Sequence, residues 1–245
     1  MKELDLALLR AWPPAEERRV GRWLVRLDGG VTRRANSVLP LGRGPDPSSE
    51  QLDGWLAEAR RLYDDRGLTP WVQVTDAAWP PDLGAALEER GWTTGIDPTV
   101  VLTGTPNADE ATWKIAPNDT PSQNWLDAWW EVDARGDDGA LATLVALFRR
   151  IDLPHVFLRA IDGETVGTCL AVRVGRSTVV ECLATRESWR RRGVARALLA
   201  EAWRWGLERG SIRMVLAVEA ANTGARALYR AIGLEELSGY AYSRP

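Results

Sequence analysis

RRRGVA, residues 190 to 195, stands between a run of β-formers, TVVECLAT (178–185), and a run of helix-formers, VARALLAEAWRWGLERG (194–210). Three cations ahead of a glycine fit an ordinary solvated helix start, and they equally fit half of a phosphate cradle. The first turn of an α-helix carries unpaired backbone N–H groups and the positive end of the helix dipole, so it is a ready anion site. Gly193 and Ala195 let that backbone approach an oxygen closely. Arg190, Arg191, Arg192 and Arg196 add donors that can fork onto phosphate. Several such bonds, each contributing about 1.5–3 kcal/mol where water is excluded, suit a pyrophosphate.

Around this stretch the chain reads as a mixed α/β unit. TWKIAP (112–117) is a short strand ended by proline. SQNWLDAWWEVDARG (122–136) is a helix capped by Ser122, and DGALATLVALFRR (138–150) is a second helix. HVFLRAI, the Asp162-Gly163 turn and TVGTCLAVRVG form a hairpin. After TVVECLAT and the long helix, which Gly210 ends, come a strand (IRMVLAV), a helix (NTGARALYRAIG) and LEELSGYAYSR, expected as a strand pair. Trp125, Trp129 and Trp130 lie at helical spacing, which places two of the three in the core or at a domain interface.

A second copy of this unit lies upstream. LAEARRLYDDRG (56–67) matches LAEAWRWGLERG (199–210) in Leu, Ala, Glu, Ala, Arg, Arg and Gly at the same offsets. Each is followed by a strand, by a helix with a glycine stop, and by a further β segment. That preserved order outweighs the compositional likeness of helices, so the chain is expected to form two units, 1–107 and 108–245, joined near the polar GTPNADEAT (104–112). The first copy is degenerate at the deciding place. GRGPDPSSEQ (42–51) has prolines that remove donors and acids, Asp46 and Glu50, that repel phosphate. Glu88 falls near the place that Tyr229 takes in the second copy.

Bulk properties exclude several classes. The 245 residues carry a formal net charge of −3, so no global basic field recruits nucleic acid. The opening MKELDLALLRAWPPAEE breaks at two prolines after a short apolar run containing Asp5, which fits neither a secretory nor a membrane segment, and a cytoplasmic protein is expected. Cys169 and Cys182 form no CxxC pair, and no metal site is expected. The single histidine, His155, opens a strand and is read as structural. Any chemistry then falls to backbone donors, carboxylates and phenols.

The arrangement Arg190-x-x-Gly193-x-Ala195 after LAT resembles the acetyl-CoA loop of the GNAT N-acetyltransferase superfamily. NTGARALYRAIGL (222–234) is similar to that superfamily's second signature, in Asn222, Ala225, Leu228-Tyr229 and Gly233. The resemblance covers residues 112–245 or thereabouts. TRRANSVLPLG (32–42) and WWEVDARGDDGALA (129–142) are also similar to an actinobacterial tandem subgroup that includes N-acetylglutamate synthases. It implies a tandem mixed β-sheet flanked by helices, with a degenerate N-terminal copy.

The activity implied is transfer of acetyl from acetyl-CoA to a primary amine of a small molecule or amino acid, by a monomer or homodimer. A peptide or protein N-terminal acetyltransferase and a non-catalytic acyl-CoA sensor are the alternatives. A bulge before the loop would expose the backbone of Leu183, Ala184 and Thr185 to the pantetheine arm, with one amide polarising the thioester carbonyl. Residues Arg190, Arg191, Arg192, Gly193, Val194, Ala195 and Arg196 would hold the phosphates, with Asn222, Ala225 and Tyr229 completing the donor site. Tyr229 matches the general acid; a phenol, which titrates near ~10 when free in water, can serve a thiol that titrates near ~8.5. Its other reading is a core-facing aromatic. For the base, Glu181 is an acid inside an apolar strand, and Glu219 beside Asn222 is its rival, read first as a strand-end partner. A base matters most for a lysine-like amine, whose deprotonation at pH 7 costs about 4.6 kcal/mol, against about 1 kcal/mol for an α-amino group.

Overall fold

The computed structural model describes residues 3–107 and 113–245. The N-terminal half runs α1 (Glu3–Ala11), β1 (Glu16–Val20), β2 (Trp23–Leu27), a 3-10 turn (Arg33–Ala35), β3 (Ser37–Leu39), α2 (Ser49–Asp64), β4 (Trp71–Thr75), α3 (Leu83–Glu88) and β5 (Thr93–Gly104). The C-terminal half runs β6 (Lys114–Asn118), α4 (Gln123–Asp133), α5 (Asp138–Arg149), β7 (His155–Asp162), β8 (Glu164–Val174), β9 (Ser177–Thr185), α6 (Val194–Leu207), β10 (Arg213–Glu219), α7 (Thr223–Ala231) and β11 (Glu235–Arg244). This is a mixed α/β fold, as the order of periodicities predicts. Residues 108–112, which hold most of the expected linker and one side of the expected 107/108 boundary, lie outside the described residues.

All eleven strands belong to one sheet, in the order β1-β2-β3-β4-β11-β5-β10-β9-β8-β7-β6. Two neighbouring pairs are parallel, β3 with β4 and β9 with β10, and the others are antiparallel. At the centre the halves exchange strands. β5 pairs with β10 on one side and β11 on the other, and β11 pairs with β4 on its other edge. The end of each half thus completes the sheet of the other.

LEELSGYAYSR is therefore one strand and not the expected pair. Its register against β5 slips between Glu236 and Ser238, between Tyr240 and Tyr242, and again before Arg244. Those bulges let a single strand bend to serve two neighbours. Gly239, which looks like a turn residue, sits where a Cβ would lie 2.9 Å from the Thr99 carbonyl oxygen. The sequence offers the turn residue; the close approach of β5 explains it instead.

Helices cover both faces of the C-terminal half. On one face α1, α4 and α5 bury Leu8, Trp12, Trp125, Trp129, Leu147 and Phe148 against Phe157, Leu170 and Val172. Trp125 and Trp129 are the two core tryptophans of the expected three, and Trp130 is half-buried. On the other face α6 and α7 bury Val194, Leu198, Leu199, Trp203 and Tyr229 against β7, β8 and β10. Each fully buried large aliphatic or aromatic side chain contributes about 1.5–3 kcal/mol. Helix α6 lies so close to β9 that a Cβ on Gly206 would fall 1.8 Å from the Thr178 hydroxyl. That contact fixes where the helix begins, and hence where its first amides point.

Candidate acetyl-transfer site

β9 and β10 separate where the sequence motif begins. Their parallel register runs from Ser177–Val179 against Arg213–Val215 and then stops. On its other edge β9 keeps pairing with β8, but Glu181 faces Leu170 while Ala184 faces Thr168, so β9 holds one extra residue between them. Cys182 carries the strain with a φ of 50°, and its carbonyl accepts a 3.1 Å bond from the Thr168 hydroxyl. A bulge at this point bends β9 away from β10. The gap is the floor of a cleft of about 780 Å³.

At one end of the gap lies the opening hexapeptide. Arg191 and Gly193 both take left-handed conformations, with φ of 63° and 84°. Gly193 sits as the cap of α6 with no side-chain hydrogen bond, and the first intrahelical bond is Ala197 N–H to Gly193 O. The amides of the first turn ahead of it have no carbonyl partner within the helix. A Cβ on Gly193 would still lie 3.9 Å from its nearest neighbour, so conformation and not space makes glycine necessary there. Trp113 donates to the Arg192 carbonyl at 3.1 Å and meets Trp189 edge-on, and the Arg192 guanidinium lies over the Trp189 ring. The cations of this loop are thereby given a scaffold.

The structure brings Glu181, Leu183, Ala184, Arg190, Asn222 and Tyr229 together on the cleft wall. Arg191, Arg192, Gly193, Ala195 and Arg196 belong to the helix start beyond it. Val194 turns its side chain into the core, 1% exposed against Gly167, so only its backbone remains for a ligand. Thr185 meets the loop through its carbonyl, 3.4 Å from Arg190 Nε. The Asn222 side chain caps α7 by accepting from the Ala225 amide, which settles the local role of both residues. Burial pushes the Tyr229 phenol above its ordinary range, so it is protonated at neutral pH. Glu219 lines the cleft at the end of β10. His155 lies elsewhere, its ring nitrogens against the carbonyls of Leu153 and Asp119, as a structural residue. No group of metal-ligating side chains occurs among the described residues, and no described helix is long and apolar enough to cross a membrane.

The N-terminal half supplies the other wall, which the sequence did not assign by residue. Trp12, Thr32, Arg33, Arg34, Trp71, Asp97 and Thr99 face the gap, with Tyr240 and Tyr242 from the exchanged β11. Arg33 lies 4.5 Å over the Trp71 ring and is paired with Asp97. Arg34 lies 4.9 Å over the Trp12 ring and is paired with Glu181. The corresponding place inside the N-terminal half is filled. Ser48 and Gln51 close a reciprocal capping box on α2, at 3.2 and 2.9 Å. The Trp79 ring rests against Gly42 and donates to the Gly44 carbonyl, while Arg22 donates to the Arg43 carbonyl. Glu88 is exposed and accepts from Thr94.

A splayed parallel pair, a bulge and an uncapped helix start define an acetyltransferase of the GNAT type, and solved structures of that fold superpose on the whole chain. A GCN5-related N-acetyltransferase from Kribbella flavida matches with a TM-score of 0.73 at 16% identity, covering 100% of this chain and 96% of its own. A tandem GNAT protein from the clavulanic acid biosynthesis pathway matches with a TM-score of 0.71 at 13% identity, covering 100% and 88%. The chain belongs to the family described as probable histone acetyltransferase Rv0428c C-terminal, which matches residues 1–243. It is 23% identical over 253 residues to the uncharacterized N-acetyltransferase YobR of Bacillus subtilis, covering 99% of this chain and 97% of that one. The probable histone acetyltransferase Rv0428c of Mycobacterium tuberculosis is 29% identical over 126 residues, a stretch spanning 51% of this chain and 37% of the relative.

Proposed function

We propose that the chain uses acetyl-CoA as donor and acetylates the primary amine of a small molecule or free amino acid. The observation that carries this reading is the bulged end of β9, which parts from β10 and leads directly to the uncapped start of α6. The residues fit the donor: open amides and the arginine loop suit its phosphates, and the unpaired edge beside Leu183 and Ala184 suits a pantetheine arm. Bound there, acetyl-CoA supplies the acetyl thioester. An amide at the bulge donates to the thioester carbonyl oxygen, Glu181 takes a proton from the amine as the N–C bond forms, and Tyr229 returns one to the sulfur as the C–S bond breaks.

The small acceptor follows from the second wall. A cleft of about 780 Å³ that must also receive the end of pantetheine, and that the N-terminal half covers with Trp12, Arg34 and Trp71, suits a compact amine better than a folded chain. Thiol release from acetyl-CoA is measured with a panel of free amino acids, simple amines and peptides bearing free N-termini. Turnover confined to peptides would replace this reading by that of a peptide or protein N-terminal acetyltransferase.

Two expected results concern the donor. Arg190→Ala together with Arg192→Ala should weaken acetyl-CoA binding about tenfold and flatten its salt dependence, since charge-assisted bonds to phosphate are lost. Unchanged affinity and salt slope in titration calorimetry would remove the loop from the donor site. The same titration on the native chain should give one acetyl-CoA per chain, because Trp79, Arg22 and the Ser48 capping box occupy the corresponding place in the N-terminal half. A stoichiometry of two contradicts this.

A further inference from the structure

Glu181 is 7% exposed on the cleft floor and carries its two oxygens in different surroundings. Oε2 is held by the Arg34 guanidinium, while Oε1 is buried with no hydrogen-bond partner among the described residues. A buried carboxylate oxygen without a donor is costly, and Glu181 is among the residues that line the cleft. Arg34 comes from the opposite half of the chain, on the 3-10 turn that follows Thr32. Its side chain is 16% exposed and rests on the Trp12 ring. Trp12 is tied in turn by its 3.0 Å bond to the Thr32 hydroxyl and by an edge-on contact with Phe148. The arginine is thus braced on a fixed aromatic surface and has little freedom to leave the carboxylate.

We propose that Arg34 is a positioning residue for acetyl transfer: it holds Glu181 by Oε2 in the charged form and leaves Oε1 facing the amine of the acceptor. The role rests on the reading of Glu181 as proton acceptor given above. Arg34 itself neither gains nor loses a proton; the amine proton goes to Oε1. The other charged and titratable neighbours do not replace it. Arg135, at the end of α4, acts on Glu181 from further away and is engaged by Asp133. Cys169 on β8, Cys182 beside Glu181 and Tyr229 on α7 are all pushed upward by burial and stay neutral. Tyr240 and Tyr242 of β11 face Arg34, Asp97 of β5 is taken by Arg33, and Glu219 of β10 adds only negative charge. Burial outweighs the charged neighbours and leaves the Glu181 carboxyl above the ordinary carboxylate range, and Arg34 is the first group that opposes that rise. The N-terminal half therefore sets the pH range in which the site works.

The test uses the full chain with Arg34→Met, Arg34→Gln and Arg34→Lys, alone and combined with Glu181→Gln. Infrared difference spectra against pH, with the protonated-carboxyl band of Glu181 assigned by its loss in E181Q, read the charge without any acceptor. That band should be weaker at neutral pH in the native chain than in R34M and R34Q, whose titration moves upward by about 1–3 pH units on loss of an adjacent positive charge. R34K should stay near the native position. With acetyl-CoA and the most active amine of the panel, the acid limb of kcat/KM in R34M should move by the same amount. Activity at pH 7 should then fall at least tenfold and recover at alkaline pH, and R34M/E181Q should be no slower than E181Q. A native infrared titration in R34M or R34Q overturns the proposal, as does a pH-independent loss that adds to that of E181Q. Should R34M not fold, R34Q and R34K decide. A native rate and pH profile in E181Q would instead refute Glu181 as proton acceptor, which the infrared result keeps separate from the effect of Arg34 on its charge.

Discussion

Tyr229→Phe is expected to lower kcat by about 10²–10⁴-fold while leaving the dissociation constant of acetyl-CoA within a factor of about two. That range is what a positioned general acid contributes, and a donor needed only as the C–S bond breaks acts on the rate and not on ground-state affinity. The fold makes this a clean substitution. Tyr229 is 7% exposed, packed in the cluster formed by α6, α7 and β10, and phenylalanine keeps the ring while removing the hydroxyl. Burial holds the phenol above its ordinary range, so the native chain keeps this proton throughout the neutral region. Parallel losses in kcat and in acetyl-CoA affinity would mean that the hydroxyl serves packing or donor binding. Steady-state kinetics beside calorimetry on the same variant separates the two.

The second large effect is expected from dividing the chain. Residues 113–245 on their own contain both sequence signatures, yet they should fail to fold cooperatively. Without β5 the inner edge of β10 is bare, and β11 loses β5 and β4 together, its two strand partners. Exposed edges of that length invite aggregation. Glu181 also loses Arg34, and stranding one member of a buried ion pair costs about 3–5 kcal/mol, a large part of the 5–15 kcal/mol that stabilises an ordinary domain. The measurement is thermal unfolding by circular dichroism together with thiol release. A cooperative transition and native turnover from 113–245 would show that the N-terminal half is dispensable, against everything the sheet order implies.

The C-terminal fold was legible because its signals are local. The apolar β-forming runs HVFLRAI and TVGTCLAVRVG about the Asp162-Gly163 turn, the Ser122 cap and the glycines after the helices all act within a few residues, and each appears where the local signal puts it. The loop before α6 was legible for a related reason, since a glycine with φ of 84° at a helix start is a requirement written at one position. The opposite wall of the cleft was not. Glu181 stood out as an acid within an apolar strand, but a buried carboxylate states only that it needs a partner, and the chain offers many arginines. Arg34 lies 147 positions away in the sequence, and no local rule reaches that far. The strand exchange was hidden likewise. TTGIDPTVVLT and EELSGYAYS read as the ends of two similar units, and nothing in either says that it pairs with the other unit's sheet.

That exchange also orders events while the chain is being made. β4 emerges early, but its partner β11 is synthesised only after the whole C-terminal half, so the N-terminal sheet must wait with one edge open. At about 5–20 residues per second the wait lasts roughly 8–33 seconds. Strand β5 waits too, since both of its neighbours are made later. The first half therefore cannot close its sheet before β11 is made, and β11 acts as the latch that locks early and late segments in one step. A protein assembled this way has its stability decided only once β11 is made, and its vulnerability to proteases and to off-pathway strand pairing is concentrated in the interval before.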